Sequence, residues 1–220
     1  MLNVFYQQSF CGDRDENLDR YGHIRGDGWS LSYVFDGFEI TDPHYVDRLQ
    51  LEVEKLGLEQ GALTVSDVLG KLSDLVSIDN PPDGKASVVF IVSSGEQVSA
   101  LYAGDTRAYF LSSKERTSDH SMAQKMINEG KSQSDTLPRH PLRRYLTNKL
   151  HGSNGFNALE RLDFPGGQEI ILCSDGVWSC IASDSDFYSL AMSGGERVYN
   201  EALSRRPINR DNMTILHLKP

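Results

Sequence analysis

The sequence predicts an α+β fold in which strands and helices form separate layers. Runs rich in Val, Ile, Leu, Phe and Tyr predict strands, and they are interrupted first by two amphipathic helical patterns in succession and later by further helices. Strict alternation of strand and helix is absent, which disfavours a doubly wound parallel sheet and favours a layered α+β domain. At 220 residues, the chain is expected to form one domain over residues 1–220.

Six segments predict strands because they are short, apolar and bounded by turn residues. They are residues 29–35, 87–92, 98–103, 108–111, 169–173 and 213–218. The second, third and fourth segments are separated only by SSGEQ and GDTR. Such short connectors predict that these three strands form an antiparallel meander.

Helices are predicted where apolar residues recur at spacings of three and four. The two earliest patterns contain Val46, Leu49, Val53 and Leu56, and then Val65, Val68, Leu72 and Leu75. Thr64 and Asp67 resemble a capping box, and Thr117 is expected to cap a third helix that ends at Gly130. Residues 184–205 predict two helices divided at residues 193–195, and the polar residues 131–142 predict a surface loop.

Composition and charge exclude several classes of protein. The 22 basic and 31 acidic side chains give a net charge of -9, which is unlike that of a nucleic-acid-binding protein. The first residues lack the features of a signal peptide, and no run of about 18 apolar residues follows, so a cytoplasmic protein with no membrane partner is expected. Cys11, Cys173 and Cys180 form no CxxC pair, which argues against a disulfide framework and a zinc site.

Four aspartates lie at the ends of predicted strands, namely Asp36, Asp105, Asp175 and Asp211. If the sheets bring these ends together, the carboxylates repel one another unless protons or cations intervene. Mg²⁺ and Mn²⁺ prefer such oxygen ligands, and Gly37, which has no Cβ, leaves its carbonyl accessible to an ion. The alternative is four unrelated turn or cap residues, and sequence spacing does not decide between the two.

A substrate with negative charge also requires a cation to bind it. Arg14, in the segment GDRDENLD, is a candidate because a guanidinium can hold a phosphate through two parallel N–H contacts. An arginine in an acidic loop is also a common solvated ion-pair partner. Both interpretations of Arg14 remain open at this point.

Taken together in chain order, eight segments resemble the metal-dependent protein serine/threonine phosphatases of the 2C type, the PPM family. They are RDENLD (14–19), YVFDGF (33–38), GKASVVFIV (84–92), YAGDTRAYFL (102–111), TSDHS (117–121), RHPLRRYLTNKLHG (139–152), ILCSDGVWS (171–179) and RDNMTIL (210–216). The resemblance extends over nearly the whole chain, in the family's order, and is closest to compact bacterial members.

The resemblance implies a four-layer αββα sandwich with two central, mostly antiparallel sheets flanked by helices. It also implies an enzyme that hydrolyses phosphoserine and phosphothreonine in proteins with a metal-activated water, at a centre of two Mg²⁺ or Mn²⁺ ions. Its partners would be phosphorylated proteins and a cognate serine/threonine kinase, and it would act as a monomer.

The resemblance further assigns roles to individual residues. Asp36 would bridge the two ions and the Gly37 carbonyl would bind one of them. Asp175 and Asp211 would ligate the other ion, and Asp19 would act through a metal-bound water.

Two more roles follow from the same resemblance. Many bacterial members bind a third, weaker ion, which Asp105 would hold here together with Asp175. Arg14 would bind the substrate phosphate.

The chain departs from the family pattern beside the aspartates. Leu18 stands where the family often has Glu, and Phe38 where it has His or Met, so Phe38 cannot donate a proton to the leaving group. Glu39 and Ile40 replace small residues and are expected to narrow the entrance to the site. His120 and His140 are alternative proton donors, and each also has a structural interpretation.

These departures motivate a second hypothesis, a pseudophosphatase that binds phosphoproteins or scaffolds a kinase without turnover. A third hypothesis is a different metal-dependent phosphoesterase such as a nuclease. The acidic net charge disfavours the nuclease, because the nucleic-acid backbone is itself polyanionic.

Overall fold

The computed structural model describes residues 1–41, 44–58, 63–77, 84–152, 158–205 and 209–220. Their strands form two antiparallel sheets. The five-stranded sheet has the order β1 (Asn3–Phe10), β11 (Met213–Lys219), β10 (Ile170–Cys173), β6 (Arg107–Phe110) and β7 (Glu115–Arg116). The six-stranded sheet has the order β2 (Asp19–Arg25), β3 (Ser30–Gly37), β4 (Lys85–Ser93), β5 (Gln97–Ala103) and β9 (Glu160–Pro165), with β8 (Leu150–His151) paired to β4.

The helices in the described ranges are α1 (Tyr45–Lys55), α2 (Val65–Ser77), α3 (Met122–Asn128), α4 (Asp175–Trp178), α5 (Asp184–Ala191) and α6 (Gly195–Ser204), with 3-10 turns at Leu56–Leu58 and Ser134–Arg139. None of the helices in the described ranges is long and apolar enough to cross a membrane.

Three groups of buried side chains define four layers. Residues of β3, β4 and β5 meet residues of β6, β10 and β11 between the two sheets. Residues of α1 and α2 pack on the outer face of the six-stranded sheet, and residues of α4, α5 and α6 pack on the outer face of the five-stranded sheet. The predicted αββα sandwich is therefore confirmed.

The central strand β4 shows why the middle of the chain is so apolar. Val88 and Phe90 face the helices, whereas Val89 and Ile91 face the other sheet. A strand that is buried on both faces needs apolar side chains at successive positions rather than at alternate ones. Burial on both sides explains the uninterrupted run SVVFIV.

The predicted three-strand meander is only partly correct. β4 pairs with β5, but β6 lies in the other sheet and pairs with β10. The chain crosses between the sheets at Gly104, whose φ of +98° is readily accessible only to glycine. A short connector of this kind is indistinguishable by length from a hairpin turn, so the sequence did not reveal the crossover.

The other local predictions have mixed outcomes. The capping box at Thr64 and Asp67 is present, with the Asp67 N–H donating to Thr64 Oγ1 over 3.2 Å. Ser121, not Thr117, caps α3, because the Thr117 hydroxyl instead accepts from the backbone of Ala108. The loop predicted at residues 131–142 contains the Ser134–Arg139 turn, which buries an apolar residue, Leu137.

Candidate metal centre

Five aspartates come together at one end of the sandwich because each lies at a strand end. Asp36, near the end of β3, is directly opposite Asp19, the first residue of β2. Asp105 lies just after β5, and Asp175 opens α4 just after β10. Asp211 lies two residues before β11. In antiparallel sheets the end of one strand meets the start of its neighbour, so these side chains gather at one edge.

A cavity of about 430 Å³ opens above this group. Asp36, Asp105, Asp175, Asp211 and Arg14 all contribute to its lining. The side chain of Asp19 is beneath it and only 4% exposed. The structure thus gathers the four aspartates at predicted strand ends, together with Asp19, around one site.

Burial, together with the other carboxylates, raises the pKa values of Asp36, Asp19 and Asp105. Burial, and then the negative charge of the other aspartates, raises the pKa of Asp36 well above its usual value. Burial also raises the pKa of Asp19 to about 7, even though a hydrogen bond of 2.7 Å from Ser174 Oγ favours its charged form. Burial together with Asp175 and Asp119 raises the pKa of Asp105 to about 8.

Two arginines hold carboxylates of this group. Arg14 makes two parallel bonds to Asp211, of 2.9 and 2.8 Å, and Arg143 Nη1 donates to Asp175 Oδ2 over 2.7 Å. As the side chains stand, no three Asp, Glu, His or Cys residues in the described part of the chain are arranged to hold a metal ion. A cation bound here would compete with Arg14 and Arg143 for the oxygens of Asp211 and Asp175.

The donor set nevertheless fits a hard divalent cation. One oxygen of Asp19, Oδ1, is buried and has no hydrogen-bond partner, which is costly for a carboxylate. Clustered carboxylates with an adjacent backbone carbonyl are the ligands that Mg²⁺ and Mn²⁺ prefer. A cation would also offset the two causes that raise the pKa values of Asp19, Asp36 and Asp105, namely burial and then repulsion from the other aspartates.

Gly37 is confined by its neighbours. A Cβ on this residue would lie 3.0 Å from both the Leu18 carbonyl oxygen and Val46 Cγ1, and its own N–H donates to Leu18 O over 3.2 Å. A side chain at position 37 would therefore push against Leu18, which lines the cavity.

Asn212 ties the Arg14 loop to β11, a role that was not predicted from the sequence. Its side-chain oxygen accepts from the Leu18 N–H over 2.8 Å, and its amide donates to the carbonyls of Cys11 and Glu16. No local signal in the segment RDNMTIL indicates these partners, because they lie 194 to 201 positions away in the sequence.

Arg143 and Arg107 were also missed. Arg107 is buried, makes two 2.7 Å bonds to Asp119 and stacks on Trp178, whose indole N–H donates to the Asp105 carbonyl over 2.8 Å. This ion pair therefore supports both α4 and the turn that carries Asp105. The arginine of GDTR and the aspartate of TSDHS were visible, but their pairing requires the fold.

The residues that depart from the family pattern have different positions. Phe38 and Ile40 line the cavity and are 38% and 65% exposed, so they form an apolar part of its rim. Glu39 forms an ion pair with Lys85 and does not line the cavity, so the expectation that it narrows the entrance is wrong. Leu18 is buried in the cavity wall.

Neither candidate histidine lines the cavity. His120 Nδ1 accepts from the Gly104 N–H, its Nε2 lies 2.8 Å from Glu160, and its ring stacks on Tyr102. His140 bonds within its own loop, where Nδ1 accepts from the Leu142 N–H and Nε2 lies 3.2 Å from Ser132 Oγ. Both positions fit the structural interpretation rather than proton donation in the cavity.

Comparison with solved structures shows the same fold in bacterial PPM-type serine/threonine phosphatases. A serine/threonine phosphatase from S. agalactiae is 14% identical, with a TM-score of 0.81 over 100% of this chain and 99% of that one. Stp1 from Staphylococcus aureus is 18% identical, with a TM-score of 0.83 over 100% and 95%. The Mycobacterium tuberculosis phosphatase PstP/Ppp is 19% identical, with a TM-score of 0.79 over 99% and 98%.

A further similar structure is the catalytic domain of the phosphatase PstP in complex with two manganese ions. It is 17% identical to this chain, with a TM-score of 0.76 over 99% of this chain and 97% of that one. No protein-family model and no curated protein sequence matches this chain. The fold that the sequence resemblance implied is confirmed along the whole chain.

Proposed function

We propose that this chain is a Mg²⁺- or Mn²⁺-dependent phosphatase that removes phosphate from phosphoserine and phosphothreonine in proteins. One observation carries the proposal, namely the convergence of five aspartates and Arg14 around a single cavity at one end of the two sheets. The fold shared with bacterial serine/threonine phosphatases supports it.

The aspartates would hold the cations. Asp36 would bridge two ions with help from the Gly37 carbonyl. Asp175 and Asp211 would ligate one of them, and Asp19 would orient a coordinated water. When bound, the ions would lower the pKa of a water and offset charge on the phosphoryl oxygens.

Asp105 lies beside Asp175 and is deeply buried, at 4% exposed. The pair would hold a third ion, which fits the rise in the Asp105 pKa that Asp175 contributes to.

Arg14 would bind the substrate phosphate. Its side chain is 47% exposed and its guanidinium already presents two parallel N–H donors to Asp211. If Asp211 ligated a cation instead, those two donors would be free to hold two phosphoryl oxygens in the same geometry. Arg14 would thus both neutralise Asp211 and position the substrate.

Phosphate release tests the proposal. The protein is assayed with p-nitrophenyl phosphate and with a phosphothreonine peptide, in Mn²⁺ and in excess EDTA, while Mn²⁺ binding is measured by calorimetry. We expect turnover of both substrates in Mn²⁺ and none in EDTA. A protein that binds no Mn²⁺ and is inert towards both substrates would refute the proposal.

Measuring the binding of the phosphothreonine peptide beside its turnover separates the enzyme from the pseudophosphatase. A non-enzymatic binding module would bind the phosphothreonine peptide at micromolar concentration without turnover, and Asp36→Asn would leave that binding unchanged. The enzyme loses turnover in Asp36→Asn, because the proposed bridging carboxylate is replaced by a neutral amide.

A further inference from the structure

A second cavity, of about 440 Å³, lies next to the proposed metal centre and is strongly basic. We call it the arginine cavity because its lining includes Arg139, Arg143, Arg144, Arg205 and Arg210. Arg139 ends the Ser134–Arg139 turn and Arg143 and Arg144 follow it, whereas Arg205 directly follows α6 and Arg210 precedes β11. Five arginines in one cavity are notable in a chain with a net charge of -9.

The positive charge of this cavity is only partly neutralised. Arg143, Arg205 and Arg210 pair with Asp175, Glu201 and Asp13, none of which lines the cavity. Its one acidic lining residue, Asp211, is bound to Arg14. Within the described ranges, Arg139 and Arg144 form no ion pair, and both are exposed. Two guanidinium groups are thus available to an anion from outside.

The arginine cavity adjoins the proposed catalytic cavity. Arg144 and Asp211 line both, so the side chains that flank a phosphorylated residue lie within reach of the arginines. The rim of the catalytic cavity also carries the apolar Phe38 and Ile40, which do not line the arginine cavity. The positive charge available to a flanking segment is therefore concentrated in the arginine cavity.

We propose that the arginine cavity binds acidic side chains that flank the phosphorylated residue of a protein substrate. This substrate class rests on the proposed function and adds a second recognition site to it. Guanidinium groups match carboxylates in shape and bind them through paired N–H donors, and a cluster of such groups in a concave site concentrates the positive potential.

Peptide binding to the metal-free protein tests this cavity apart from catalysis. In EDTA no metal ion holds the phosphate of the peptide, so two peptides that differ only in their flanking residues report the contribution of those residues. Fluorescence anisotropy is measured with two labelled phosphoserine peptides, identical except that one carries Glu and the other Gln at the flanking positions. We expect the Glu peptide to bind about tenfold more tightly, the scale of one charge-assisted contact.

Two variants show whether the preference belongs to this cavity. Arg139→Gln/Arg144→Gln should reduce the Glu-to-Gln preference to about twofold or less. Arg197→Gln, on α6 and outside the cavity lining, removes one exposed arginine and should retain the preference. The replaced residues are exposed, and a melting curve verifies that each variant is folded. Equal binding of the two peptides by the unmodified protein would overturn the proposal. A loss of the Glu-to-Gln preference in Arg197→Gln as large as that in the double variant would overturn it as well.

A second measurement applies if the protein is active. With Mn²⁺, the ratio of kcat/KM for the Glu and Gln peptides should show the same preference, and the double variant should lose it. Because the ratio compares two substrates on one enzyme, it is insensitive to any general effect of Arg144 on turnover. If the Mn²⁺-loaded protein is inert, the proposed phosphatase function fails, while the EDTA measurement still decides whether the cavity binds acidic segments.

Discussion

At the scale of single residues, the identity of the carboxylates was predictable and the identity of their partners was not. Asp36, Asp175 and Asp211 were found because an aspartate beside an apolar strand is a local pattern. Arg14 and Asp211 are 197 positions apart, and Arg143 and Asp175 are 32 apart. No local pattern connects such pairs, because the fold alone brings them together.

The aspartates that face arginines should be essential for turnover. We predict that Asp175→Ala and Asp211→Ala each lower kcat for p-nitrophenyl phosphate in saturating Mn²⁺ by at least about 100-fold, the scale expected when a catalytic ion loses a ligand. Each substitution also leaves an arginine facing the ions without its carboxylate. Asp27→Ala, in an exposed turn, is the matched control. Near-normal turnover in either site variant would remove that residue from the proposed centre.

At the scale of elements, burial on both faces made the central strands easy to predict. β4 and β10 are almost uninterrupted apolar runs, whereas β1, β2 and β9 carry polar side chains at many positions and were missed. β1 and β2 lie at sheet edges, and β9 at the far edge of its sheet, where one neighbour is absent and solvent reaches the strand. A run of apolar residues therefore indicates that a strand is buried on both faces, and its absence does not indicate that a strand is absent.

The crossover between the sheets depends on Gly104. Its φ is +98°, and a Cβ there would lie 2.0 Å from Ser87 Oγ, which donates to Asp105. We predict that Gly104→Ala lowers the free energy of unfolding by about 3 kcal/mol, from left-handed backbone strain and steric overlap together. Urea denaturation measures the change.

Gly130→Ala separates the two contributions. Gly130 also has a positive φ, of +71°, but a Cβ there meets no atom within 4 Å. Backbone strain alone should then lower its free energy of unfolding by about 1 kcal/mol. If the two variants lose equal stability, Ser87 gives way freely and the crossover is not tightly packed.

At the scale of the whole molecule, the aspartate group joins the two sheets. Asp36 and Asp19 belong to the six-stranded sheet, and Asp175 and Asp211 flank strands of the five-stranded sheet. Their mutual repulsion opposes the packing of the sheets at this end. The stability of the molecule should therefore depend on what neutralises them, either protons or cations.

Protons stabilise the metal-free protein. The pKa of Asp19 is raised to about 7 and that of Asp105 to about 8, from 3.8, so the folded state keeps protons that the unfolded chain releases. This contribution is complete below about pH 4 and is lost as the pH rises through 7 to 8. In EDTA we predict a lower free energy of unfolding at pH 8.5 than at pH 5, measured with urea. Asp19→Asn should weaken the dependence of the free energy of unfolding on pH. A free energy of unfolding that rises from pH 5 to pH 8.5 would contradict the prediction.

Cations should replace protons in this role, and more effectively at high pH. A ligand that binds only the folded state stabilises it by about 2.7 kcal/mol at 100 times its dissociation constant. Since protons compete for the same carboxylates, Mn²⁺ should raise the melting temperature more at pH 8 than at pH 5. Asp36→Asn should abolish the shift, because Asp36 is the carboxylate that faces the other four, while Asp27→Asn should retain it. A melting temperature equal in Mn²⁺ and EDTA at pH 8 would mean that the repulsion between the sheets is relieved without a metal ion.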